Sequence, residues 1–361
     1  MVSDGNPFIL SINPQQAPQA TGIDAFRPTS VMFETHLNNN QNVHSPYSTY
    51  NMLIMNEGKP APYTPTTLPK FPQPALVPAD ANVDGRLYIS QAQFEAGYVE
   101  AIILPRLRTA MNGFLPASAK FERSGSGWAV NYSTNDSAQN DNHGTFVGEK
   151  KWKHRIGFDG IGPEVTFCTV KLYQATQTNY HFAISPSPSK SVDGKLVLNG
   201  SGVMSQSQNF YIHIDVLDVF TGWRSIGSAT AQLNYSVNPT IETGDGGKLT
   251  IAPHIASQPM FKTSEEHTPS ELPGAISQAV IDWVMKTLGI QSISDRMNAM
   301  ANGIAGQFGG AFHTFEDFAS TSLADAQQSV ILPGAHSLFF NNIAFDDQQN
   351  VQFDLVIKQP D

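Results

Sequence analysis

Apolar positions along this chain follow two periods, and the switches between them outline its elements. The stretch "DGRLYISQAQFEAGYVEAIILPRLRTAMNGF" carries Val99, Ile103, Leu107, Met111 and Phe114 at intervals of three or four, with Phe94, Tyr98 and Ile102 alongside. That spacing predicts a helix from Gln91 to about Asn112 with a broad apolar face. Ser90 and Gln93 form a capping box at its start. Gly113 stands where a C-cap glycine would end it, and Pro105 should kink it. From about Phe121 to Pro253 the period becomes two. "TFCTVKLYQ" puts Cys168, Val170 and Leu172 on one face; "NFYIHIDVLDV" does the same for Phe210, Ile212, Ile214 and Val216; "SATAQLNYSV" aligns Ala229, Ala231, Leu233, Tyr235 and Val237. Turn-rich segments, "SPSPSKSVDGK" and "GDGGK", separate these runs, which predicts a half-buried antiparallel meander.

The helical period then returns. Ile276, Val280, Trp283 or Val284, and Leu288 precede a stop at Gly289. A second helix begins at Ser294 and presents Met297, Met300, Ile304, Phe308, Phe312 and Phe315. Between Arg296 and Glu316 it holds no Asp, Glu, Lys or Arg, and glycines at 303, 306, 309 and 310 weaken its intrinsic helicity. Such a helix needs a surface to lie on. The chain closes on "VILPGAHSLFFNNIAFDDQQNVQFDLVI". Here Val351, Phe353, Leu355 and Ile357 alternate with Gln352, Asp354 and Lys358, which predicts two antiparallel strands.

Upstream of the first helix are two strand candidates, "TSVMFETHL" and "YSTYNMLIM". The segment Gly58 to Pro78 follows, with prolines at 60, 62, 65, 69, 72, 74 and 78. That density selects an extended crossing, either draped over the surface or serving as a docking segment for a partner. The whole pattern is α+β: long helices on an antiparallel sheet.

Composition narrows the function classes. Charged residues are 14%, hydrophobic ones 40%, and the formal net charge is −10. The acidic balance argues against a nucleic-acid partner. The single cysteine, Cys168, rules out an intramolecular disulfide and, alternating with Val170 and Leu172, reads as core. "MVSDGNPFIL" has no basic region followed by an apolar one, and no window of about 18 strongly apolar residues exists. The expectation is a soluble protein, cytoplasmic or released by a leaderless route. The Asn-x-Ser sequons at Asn131, Asn135, Asn199 and Asn234 are read as chance.

No catalytic constellation emerges. "GDGGKL" and "GFDGIG" match neither a phosphate loop nor a dinucleotide fingerprint, and "SGSGW" and "NGSGV" lack the nucleophile-elbow spacing. The ten histidines are scattered, so neither metal nor cofactor is expected. His213 and Asp215 share a strand face and read as two solvated residues. One cluster stands out, "GEKKWKHR", with Lys150, Lys151, Trp152, Lys153, His154 and Arg155. Cations beside an indole suit an anionic headgroup surface. A soluble edge strand guarded by lysines has the same composition.

Three motifs in order carry a resemblance: the "LYIS" entry to the helix reading "ILPRL" (Leu87 to Leu107), the strand "GDGGKLTI" (Gly244 to Ile251), and the closing pattern from Pro333 to Leu355. Together they resemble the P-47/OrfX-type family of TULIP (tubular lipid-binding) proteins, known beside clostridial neurotoxin genes and with bacterial and fungal relatives. "PGAHSLFF" departs from the family's usual Pro-Gly-Gly with Thr or Lys before Phe, and 256–328 aligns to nothing.

The resemblance implies a single elongated domain in which long helices pack on a strongly curved sheet. It divides into two parts, about 1–120 with 255–361, and the meander 121–254. It also implies a non-enzymatic lipid binder; some members bind phosphoinositides and clostridial ones associate with toxin complexes. Phe94, Tyr98, Ile102, Ile103, Leu107, Met111 and Phe114 would then line a groove for lipid or another apolar ligand, although core packing makes the same stripe. Lys150, Lys151, Trp152, Lys153 and Arg155 would meet an anionic, peripheral membrane surface. An accessory subunit without lipid, docked to a protein partner of a toxin or secretion complex, is the alternative. Membrane insertion by the Met297–Phe315 helix is a third reading.

Overall fold

The computed structural model describes residues 28–36, 49–56, 85–136, 139–156, 162–186, 195–217, 220–244, 248–267, 274–289, 291–325, 328–329, 338–345 and 350–357. The proline-rich stretch and the Pro333–Gly334 turn lie outside them. The architecture is α+β with a mostly antiparallel sheet.

Strands β1 (Pro28–His36) and β2 (Thr49–Asn56) pair antiparallel, where the sequence pattern places them. Strand β3 (Gly85–Ile89) leads into a helical run in four pieces: α1 (Gln91–Phe94), a π-helical stretch (Glu95–Ile103), α2 (Leu104–Ala110) and a 3-10 turn (Met111–Gly113). Ser90 caps it, its Oγ accepting from the Gln93 N–H at 3.3 Å. Pro105 stands at the start of α2, two residues after the π-helical stretch ends; it has no N–H to offer the carbonyl four residues back. Gly113 does not adopt the left-handed cap conformation. Instead the Arg108 guanidinium donates to the carbonyls of Pro116 and Ala119 beyond the helix end.

The meander forms as expected. Strands β4 (Glu122–Ser124), β5 (Gly127–Asn135) and β6 (Thr145–Arg155) precede the three longest, β7 (Glu164–Pro186), β8 (Leu196–Val216) and β9 (Phe220–Val237). β7 has 23 residues, about 75 Å of extended chain. β5 and β6 share one edge of β7, at residues 177–184 and 164–174 respectively. The ladder is bridged between them by Asp136, whose N–H donates to the Thr176 carbonyl at 3.1 Å and whose carboxylate accepts from the Thr176 N–H. β9 lies on the other edge of β8, with β12 (Ile255–Ser257) and β13 (Phe261–Glu266) beyond it. β10 (Thr240–Gly244) and β11 (Lys248–Ala252) continue from the start of β8.

Helix α3 (Gly274–Leu288) ends at Gly289, which is left-handed at φ 66°. Helix α4 (Ile293–Ala324) runs 32 residues. Its cap is Ser292, two positions before the expected start, with Oγ accepting from the Asp295 N–H at 2.9 Å. Its glycines survive because one face, from Ile293 to Leu323, is buried against β9 and β13; packing supplies what propensity lacks. The short β14 (Gln328–Ser329) pairs β11. β15 (Leu338–Phe345) and β16 (Val351–Ile357) pair antiparallel as predicted, and β16 also pairs β3, so the last strand returns to the entry of the first helix. Arg86 and Asp354 lock that junction at 2.9 Å.

Candidate functional site

The helix stripe and the uncharged helix meet. Phe94, Tyr98, Ile103, Leu107 and Met111 are wholly buried, Ile102 nearly so, and all belong to one core with Ile304, Phe308, Phe312 and Phe315 of α4 and with Met204, Phe182 and Tyr235 of the sheet. Phe114 is half-buried, stacked on Tyr180 at 5.6 Å and edge-on to Phe315 at 5.7 Å. The two helices are tied by Arg106, whose Nη1 donates to the Ser322 carbonyl at 2.9 Å. Glu95 is buried on this helix, but its carboxylate accepts from Arg123 at 2.7 Å and Gln91 at 2.8 Å, which satisfies it.

Met297 and Met300 fall elsewhere. They join a second cluster with Val280, Val284, Cys168, Val170, Leu172 and Phe210. Trp152 packs there too, edge-on to Trp283 at 6.2 Å. The structure therefore separates the indole from the cations grouped with it. Lys150, Lys151, Lys153 and Arg155 remain exposed on β6, an edge strand paired to β7. Three of them sit near carboxylates: Lys151 with Glu149 at 2.8 Å, Lys153 and Arg155 with Glu164 at 3.6 and 3.7 Å. Exposed pairs of this kind contribute at most about 1 kcal/mol, but they dilute the positive field.

Two arrangements escaped the sequence reading. On the outer sheet face, His143 stacks flat on Trp223 (3.7 Å, 1°) and meets Tyr211 edge-on at 4.8 Å. His213 is not simply solvated; it packs against the same Trp223 at 4.8 Å. The turn presenting His143 is three consecutive left-handed residues, Asn140, Asp141 and Asn142 (φ 51°, 58°, 69°), types that tolerate that region. The run "NDN" before "HG" was the available signal.

The second arrangement is a polar band across the inner face. On β7, Leu172 and Phe182 are buried, yet Gln174, Thr176 and Thr178 between them are only half-buried. On β8, Met204 and Phe210 are fully buried, while Gln206 and Gln208 between them are half-buried. The register aligns these positions into two rows, Thr134–Thr178–Gln206–Ala231–Lys262 and Thr176–Gln208–Ala229–Ser264. The boundary between the two apolar clusters falls there, Ala231 belonging to the first and Ala229 to the second. Gln208 Oε1 is buried without a hydrogen-bond partner. The interruption is legible in "YQATQTNY" and "SQSQNF", whose polar residues occupy both alternating positions.

Among the described residues no group of three or more His, Cys, Asp or Glu could hold a metal ion, and no helix is long and apolar enough to cross a membrane. Burial raises the pKa of the Tyr98 and Tyr235 phenols and of the Cys168 thiol above their ordinary 10.0 and 9.0. The unfolded chain therefore releases these protons first as pH rises, and the folded state binds more. The stability they contribute is intact below about pH 8 and declines above 9 to 10. Melting temperature measured from pH 7 to 11 should fall across that window; a flat profile would contradict the burial of these groups.

No protein-family model matches this chain, and no curated protein matches its sequence.

Proposed function

We propose that this protein is a non-enzymatic lipid binder of the TULIP type, related to the P-47/OrfX proteins. In that reading the finer architecture is elongated, with the helices lying along a curved sheet. The observation that carries it is the apolar interior between residues 94–114, α4 and the inner sheet face, contributed by long elements whose apolar stripes all turn to one side. The wholly buried stripe implies that a ligand enters by parting α2 from α4, with the Arg106–Ser322 contact as the tie that opens. The exposed cations of β6 would add contact with anionic headgroups. The test is native mass spectrometry of the purified full chain with organic extraction of the same sample. A co-purifying lipid is the expected result, and a protein empty by both measurements would sink the proposal.

A second reading, docking to a protein partner as the accessory subunit of a toxin or secretion complex, draws on a separate observation. Between Arg296 and Glu316 the outward face of α4 carries no Asp, Glu, Lys or Arg: Gly303, Gly306, Gly309 and Gly310 have open space where a Cβ would project, and Phe318 and Phe261 are 49% and 58% exposed nearby in sequence and sheet. Membrane insertion by α4 is less favoured. Its Met297, Phe308, Phe312 and Phe315 side chains are buried, so insertion would first require detaching the helix from β9 and β13.

A further inference from the structure

The polar band is costly if its only role is structural. A buried amide oxygen without a donor costs about 1–3 kcal/mol, and Leu or Val at these positions would have joined the two apolar clusters into one. We propose that the band is the floor of a ligand site for the uncharged, hydroxyl-bearing head of an amphiphile, whose apolar part runs against the flanking core. This rests on the lipid-binding reading for the tail; the assignment of the head is independent of it.

The chemistry of the floor selects the head. Thr176, Thr178, Gln206 and Gln208 carry no charge, and each offers both donors and acceptors. The unpartnered Gln208 Oε1 calls for a hydroxyl or amide N–H donor. The charges stand at the margins: Lys262 lies at the β13 end, donating to Asn302 at 2.8 Å, and Asp136 lies at the β5 end, taking the Thr176 N–H. An ionic head seated over Thr176, Thr178, Gln206 and Gln208 would lose hydration with no opposite charge among those four side chains. On β9 and β13 the rows run under α4, where Ala229 and Ala231 are wholly buried and Lys262 and Ser264 bond Asn302 and Asn298. The part left open, half-buried over β7 and β8 and ending on the exposed Thr134 of β5, is about 10 Å long at about 4.8 Å per strand and about 7 Å wide, the footprint of one sugar or polyol head. At the edge of the band the stacked rings of Tyr132 and Tyr180 (6.0 Å, 22°) and of Phe114 supply flat apolar surface of the kind a pyranose ring covers.

The experiment is calorimetric titration of the full chain with octyl glucoside below its micellar concentration, beside free glucose and decyltrimethylammonium. Octyl glucoside should bind, the cationic amphiphile more weakly, and glucose weakest. In Gln208→Leu and in the isosteric Thr178→Val, octyl glucoside affinity should drop about 3- to 10-fold, the loss of one neutral hydrogen bond. Gln208→Leu should at the same time unfold at an equal or higher urea concentration, because it removes an orphaned polar atom. Octyl glucoside binding unchanged in both variants overturns the band as the head site and leaves lipid binding standing. Equal affinity for the cationic amphiphile overturns the neutral-head assignment. If neither amphiphile binds, the lipid reading falls, and the head site with it.

Discussion

Replacing Phe315 by alanine is expected to destabilise the protein by about 3–5 kcal/mol, the largest single effect we anticipate from a core truncation. The side chain is 1% exposed and joins three elements. Its ring meets Phe114 at the end of the helical run at 5.7 Å, Tyr235 of β9 at 5.6 Å and Phe312 of α4 at 6.0 Å. Truncation removes those contacts and leaves a cavity at the junction of two helices and the sheet, where extended neighbours cannot collapse into it. Phe318, one turn further along α4 and 49% exposed, is the control; its alanine variant should stay within about 0.5 kcal/mol of the parent. Urea unfolding of both variants decides the matter. Similar losses at the two positions would mean that α4 does not lie on the sheet as described.

Gly144→Ala should cost about 2–6 kcal/mol, from two independent sources. The residue is left-handed at φ 86°, and a Cβ there would run into the backbone of Gln174 and Ala175 on β7. That backbone belongs to the long central strand and cannot give way. Gly125 separates the two terms. It is also left-handed, at φ 59°, but open around its Cβ, so Gly125→Ala should cost only about 1–2 kcal/mol. The Gly144 variant should also perturb Trp223 emission, because His143 precedes the glycine and stacks on that indole. Equal unfolding midpoints for the two alanine variants would refute the close approach of the turn to β7.

The elements were largely legible in the sequence because their signals are local. The stripe from Phe94 to Met111, the alternation in β7, β8 and β9, the stop at Gly289 and the closing pair of strands all follow from side-chain spacing along a few turns or pleats. The misreadings share one cause. Gly113 reads as a cap, His213 as solvated and Trp152 as a surface ring when each is judged without its spatial neighbours. The neighbours decide: Arg108 reaching past the helix end, Trp223 beside His213, and Trp283 over Trp152. The polar band was present as "YQATQT" and "SQSQN", but two separate runs of Gln, Ser and Thr mean little until register sets them side by side.

By itself, the amino-acid sequence determined the class of fold, the identity and approximate bounds of most strands and helices, and which face of each is apolar. These follow from backbone period and burial of one face, which each segment encodes alone. Only the tertiary structure decided that β16 closes against β3, that α4 and the helical run at 91–113 share one core while Met297 and Met300 serve another, and that Thr and Gln residues from neighbouring strands line up between those cores. Such pairings join residues up to 270 positions apart, as Gly85 and Leu355 are. Any apolar stripe can pack against any other, and the choice among them is made by register and shape complementarity across the whole chain.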